Sequence, residues 1–249
     1  NGWGCPWSEY MGTMDRNNYC GLCMECVKTC PNDNIALNIR PFASERNIKG
    51  YDESWKSFID VGTSHAYSMI YLGASGTLKD WVNAAESGNW KGFLIYVAVL
   101  WLVSLVIVPG VFYFLSLLIR WLSKVKEVSV KEIFLAYSYV LIPLGLMAWI
   151  AFSMPLILIN GSYVISIFSD PFGWGWDLFR TSNFQWQPFL PDYIGFIQIF
   201  LLLIGLGYAI NSGYFIGQRL FKSTKAAFRG LIPVAVFSTV IALAFILFF

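Results

Sequence analysis

Residues 93–119 read FLIYVAVLWLVSLVIVPGVFYFLSLLI, a run of 27 residues interrupted by little more than Ser104 and Ser116. At 1.5 Å per residue, a helix of this length is long enough to cross the ~30 Å hydrocarbon core of a bilayer. Working outward, comparable stretches occupy residues 133–159, 193–216 and 231–249. Pro109, Pro143 and Pro155 lie inside the first two of these four stretches, where kinks are expected rather than breaks. A fifth segment, 57–75 (SFIDVGTSHAYSMIYLGAS), has the length but is interrupted by Asp60, His65 and several hydroxyls. Composition agrees with a membrane protein. Hydrophobic residues make up 57% and charged residues 13%, with a mean hydropathy of +0.57, whereas soluble domains carry about 25% charged residues. The expected fold is mostly α: a polytopic helical membrane domain over 57–249 with about five transmembrane helices, preceded by a small segment over 1–56.

Charge placement orients the helices. The loop 120–132 carries Arg120, Lys124, Lys126 and Lys131, and the loop 217–230 carries Arg219, Lys222, Lys225 and Arg229. By the positive-inside rule both face the cytoplasm. If 57–75 also crosses, the N-terminal segment and its six basic residues share that side, which defines an integral protein of a prokaryotic cytoplasmic membrane. The loop 160–191, rich in Trp174, Trp176, Trp186 and Phe, is then external, and reads as a re-entrant or interface-lying loop.

The N-terminal segment contains every cysteine of the chain: Cys5, Cys20, Cys23, Cys26 and Cys30. Such clustering argues for a ligand set rather than a disulfide framework. Residues 20–31, CGLCMECVKTCP, have the spacing C-x2-C-x2-C-x3-C-P of a bacterial-ferredoxin [4Fe-4S] site. Two-residue gaps let successive thiolates wrap one cluster, the proline turns the chain away, and Leu22, Met24 and Val27 are placed to shield it. Zinc is the competing metal, but zinc ribbons pair two separated C-x2-C knuckles. Two ligand sets remain open. Cys20, Cys23, Cys26 and Cys30 can hold one cluster alone. Alternatively Cys5, itself followed by Pro6, completes the first three, and Cys30 serves a second cluster with cysteines upstream of Asn1. The start at Asn1, without Met, reads as a truncation.

The run Gly2-Trp3-Gly4-Cys5-Pro6-Trp7, followed by the ferredoxin spacing, resembles the membrane polyferredoxins typified by NapH and NosR over about the first 40 residues. The resemblance implies [4Fe-4S] clusters that carry electrons between a quinol-linked membrane system and a redox partner.

Other chemistry is sparse. His65 is the single histidine, which excludes bis-histidine haem ligation within this chain. Asp60 and His65 read either as hydrogen-bonded groups inside the bundle or as a quinone or proton contact, since ionisable groups at membrane depth tend to be functional. Asn160, Asn211, Tyr214 and Gln218 read as interface anchors or interhelical hydrogen-bonding groups. No nucleotide-binding, hydrolase or zinc-protease motif occurs, and the basic residues are explained by topology rather than by nucleic acid. The expected role is an iron-sulfur electron-transfer subunit working between a cytoplasmic redox partner and a quinone or membrane oxidoreductase. Alternatives are a redox-sensing or cofactor-assembly protein, and a scaffold or transporter with a structural cluster.

Overall fold

The computed structural model describes residues 5–7, 9, 12, 14, 20–44, 48, 50–71 and 76–247. The chain divides into two compact units, Asn1–Glu45 and Arg46–Phe249. The division falls ahead of the 56/57 boundary expected from sequence, because residues 51–56 begin the first long helix rather than close the cysteine-rich segment. All regular structure among the described residues is helical.

Among its described residues the first unit contains one short helix, α1 (Glu25–Thr29). In the second, α2 (Tyr51–Tyr71) is followed by the short helices α3 (Gly76–Val82) and α4 (Ala84–Ser87). Next come α5 (Trp90–Leu102), a π-helical turn (Val103–Ile107) and α6 (Val108–Ser123), which together form one continuous span. Then follow α7 (Val130–Ser138), α8 (Leu141–Ser169), α9 (Ile194–Phe221) and α10 (Thr224–Ile246).

Among the described residues, four stretches are long and apolar enough to cross a membrane: Trp90–Ser123, Val130–Ser169, Pro191–Phe221 and Thr224–Ile246. Their outer faces are what a lipid-embedded bundle requires. On α6, Phe112, Ser116, Ile119 and Ser123 are buried at helical spacing, while Val111, Phe114, Leu117, Leu118 and Trp121 are exposed. In water such a continuous apolar face would drive association; against acyl chains it costs nothing. The hydropathy of α2 falls short of the four spans, but its serines are turned inward. Ser54, Ser57, Ser64 and Ser68 are buried. Ser138 Oγ of α7 donates to Ser54 Oγ at 2.8 Å, and Gly62 lets the backbone of α2 approach Ser104 of the π-turn. Small residues at close helix contacts are the membrane-protein way of packing. An aromatic triad completes the joint: Phe58 of α2, Phe112 of α6 and Phe134 of α7 sit 5.3–5.7 Å apart, centroid to centroid.

The prolines act as expected from their chemistry. Pro109 cannot donate to the carbonyl of Leu105, and the wider π-turn Val103–Ile107 accommodates the mismatch immediately before it. Pro143 follows the junction of α7 and α8, where Val140 and Ile142 bond back three residues to Tyr137 and Tyr139. Pro155 stays inside α8. It leaves the carbonyl of Ala151 without its helical donor, and the buried Gln198 of α9 supplies one, with Nε2 3.0 Å from that oxygen.

α8 runs to Ser169, ten residues past its expected end. The segment 170–190 then folds back alongside the last turns of α8. Trp186 Nε1 donates to the Ile159 carbonyl at 2.8 Å, Thr181 Oγ1 to that of Ile165 at 3.0 Å, and Phe189 N to that of Leu158 at 2.7 Å. Asp170 accepts from the backbone of Trp174 and Gly175, which gathers Phe172, Trp174 and Trp176 into an exposed aromatic cluster.

Candidate functional site

All five cysteines line one cavity of about 770 Å³ in the N-terminal unit. None of them forms a disulfide. Leu22 and Met24 both adopt left-handed backbone conformations, with φ of 52° and 63°, uncommon for large side chains and typical of segments that hold a functional geometry. The Leu22 turn brings its N–H to 3.4 Å from Cys20 Sγ. Met24 begins α1, so Cys26 rides on the helix, and Cys30 ends it in an extended conformation that lets Pro31 lead the chain away.

Amide-to-sulfur contacts recur at the other end of the motif. The backbone N–H groups of Asn32, Asn34 and Ile35, beside the Cys30 sulfur, hold its thiol below the ordinary cysteine range, against burial and the nearby Asp33 charge. Stabilised thiolate is the ligating form. Leu22, Met24, Val27, Ile35 and Leu37 supply apolar wall, and Gly21 leaves the room that the Trp7 indole occupies. This contact ties Cys5-Pro6-Trp7 to the Cys20–Cys23 turn, although they are well separated in sequence.

The donor set is made of soft thiols, which select iron-sulfur clusters or zinc over hard cations. Among the described residues, no three Cys, His, Asp or Glu side chains converge closely enough to hold a single ion. A cavity lined by five cysteines has room for a multi-atom cluster, and a lone zinc would need four of the sulfurs to approach to about 2.3 Å. Both candidates for the fourth thiolate, Cys5 and Cys30, reach the same cavity.

Asp60 and His65 lie on different sides of α2. Five residues correspond to about 140° around a helix. The half-buried carboxylate of Asp60 rests against Gly145 of α8, beside the Trp149 side chain. The ring of His65 packs on Phe245 of α10, with centroids 4.2 Å apart. Gln218 donates to Tyr214 Oη one turn away, at 2.9 Å, whereas Gln198, singled out by nothing in the local sequence, makes an interhelical bond.

Comparison with known protein families, curated proteins and solved structures found no match.

Proposed function

We propose that this chain is a membrane-bound electron-transfer subunit whose N-terminal unit holds a [4Fe-4S] cluster and whose helices anchor it in a prokaryotic cytoplasmic membrane. The observation that carries this reading is the convergence of all five cysteines, in ferredoxin spacing, on one cavity. When bound, the cluster supplies reversible one-electron chemistry. The chain's own groups do the rest. Cys20, Cys23 and Cys26 bind as thiolates, with Cys5 or Cys30 as fourth ligand, and the remaining cysteine is free to serve a second cluster with upstream residues. Backbone amides of residues 22, 32, 34 and 35 stabilise negative charge on sulfur, and Met24 and Val27 add apolar wall around it.

The likeness to the NapH/NosR-type polyferredoxins supports a route between a soluble redox partner and a quinone or oxidoreductase in the membrane. α2 is proposed as a fifth crossing. Its 21 residues span about 31 Å, and its serine hydroxyls Ser54, Ser57, Ser64 and Ser68 are buried against the bundle. Five crossings place the N-terminal unit on the cytoplasmic side with the two basic loops. Asp60, beside Trp149 on the α2–α8 seam, is the candidate proton acceptor for a quinol. His65, packed on Phe245, is at most a separate contact.

The test is quinol-driven reduction of the anaerobically purified chain, followed optically. Reduction that is lost in Cys23→Ser but retained in Lys222→Gln supports electron transfer. A cluster that no quinol analogue or small redox protein reduces or oxidises would instead favour a structural role.

A further inference from the structure

A groove of about 1000 Å³ opens between the end of α6, the α6–α7 loop and α10. It is lined by Leu117, Arg120, Trp121, Lys124, Lys126 and Arg229 among others, and no acidic residue contributes. We propose that it is a binding site for one anionic phospholipid, which seats its headgroup among the four cations and its acyl chains along the outer face of α6. The inference rests on the membrane-spanning helices and is independent of the cysteine site.

Three features point to this occupant. First, the cations converge from separate elements. Arg120 lies on the last turns of α6, Lys124 caps that helix in a left-handed conformation, and the Arg120 guanidinium donates to the Lys126 carbonyl at 3.3 Å, which folds the loop back over the groove. Arg229 comes from α10, close to its N-terminal end. Second, helix electrostatics explains only part of this. A cation near the C-terminal end of α6 is favoured by the helix dipole, but Arg229 lies in the second turn of α10, where that helix's dipole gives a cation no support. Topology alone asks for basic residues on one side; it does not ask two helices to aim them at one groove. Third, the floor is apolar and continuous with the lipid-facing surface: Trp121 is 73% and Leu117 40% exposed, and Phe114, one turn below, 71%. A soluble anion has no use for such a floor, whereas a phospholipid meets basic groups at headgroup level and apolar ones beneath. The neighbouring groove near Lys222 differs, because Glu127 and Glu132 line it together with Arg219.

The experiment is native mass spectrometry of the full chain in detergent, titrated separately with phosphatidylglycerol, cardiolipin, phosphatidylcholine and inorganic phosphate. Each cation beside an anionic headgroup is worth roughly fivefold in affinity, so Arg120→Gln/Arg229→Gln should bind phosphatidylglycerol about 30-fold more weakly. Lys222→Gln/Lys225→Gln removes the same charge elsewhere and should stay within about twofold of wild type. If the first variant does not fold, the wild-type headgroup preference decides. A first anionic lipid retained well above phosphatidylcholine supports the site. Equal retention of both lipids, equal losses in the two variants, or saturable phosphate binding without lipid would overturn it.

Discussion

Replacing Gln198 by Leu should remove the side-chain donor that serves the Ala151 carbonyl, an oxygen whose i+4 partner is Pro155. The amide is nearly fully buried, at 3% exposure, and its bond is 3.0 Å long, so water cannot substitute. Leaving a buried acceptor unpaired costs about 1–3 kcal/mol, and interhelical hydrogen bonds measured within membranes average about 0.6 and reach about 1.7 kcal/mol. The expected loss for Gln198→Leu is therefore about 1–2 kcal/mol, after allowing for the apolar side chain that fills the space. Pro155→Ala restores an N–H four residues from the carbonyl, so the same Gln198→Leu change in that background should cost close to nothing. The assay is a double-mutant cycle on reversible unfolding in mixed micelles. A coupling of about 1 kcal/mol or more is expected. If Gln198→Leu costs the same with and without Pro155, the carbonyl is not what Gln198 serves, and the reasoning fails.

Gly217→Ala should destabilise by about 1–3 kcal/mol in the same assay. The added methyl would lie 2.6 Å from the hydroxyl of the fully buried Tyr137 and 3.1 Å from the α10 backbone at Ala227, and Tyr137→Phe should recover part of the loss. In the loop after α8, Asp177 accepts from Ser182 N at 3.1 Å and from Ser169 Oγ at 3.0 Å. These bonds, the Ser182 amide foremost, hold its carboxyl below the usual range. Their contribution is therefore complete above the ordinary aspartate pKa near ~3.9 and fades as pH falls through the lower folded value. Limited proteolysis should find the 170–182 segment protected at neutral pH, opened in Asp177→Asn, and opened in wild type only under strong acid; equal protection of wild type and variant would contradict this. Cys23→Ser should abolish bound iron while leaving helix content and membrane insertion unchanged by circular dichroism and carbonate extraction, since thiolates ligate iron but apolar length inserts helices. Iron at wild-type levels would remove Cys23 from the ligand set.

The four apolar spans were readable because their signal is length, which tertiary contacts do not disturb. Their ends were less so. Asn160-Gly161-Ser162 looks like a helix terminus, yet α8 continues through it to Ser169, held by the returning loop through Trp186 and Thr181. Ser223 and the basic residues after it read as loop, but Ser223 caps α10 by accepting from Ala226 N. Tyr51–Lys56 looked soluble because of Asp52, Glu53 and Lys56. Acidic residues there instead suit the first turn of α2. Of the candidate site, the cysteine spacing was explicit. The remainder came from contacts that spacing cannot encode: Trp7 over Gly21, the left-handed turns at Leu22 and Met24, and the amides that reach the Cys30 sulfur. Asp60 and His65 are close in sequence, and only packing reveals that one meets α8 and the other α10.

The central claim is that the five cysteines form an iron-sulfur site, and metal and sulfide analysis with EPR of the anaerobically purified full chain tests it most directly. The account predicts iron and acid-labile sulfide in equal amounts, four of each per cluster, with an EPR signal of a reduced [4Fe-4S] centre after dithionite. Stoichiometric zinc without sulfide, and no signal on reduction, would contradict it.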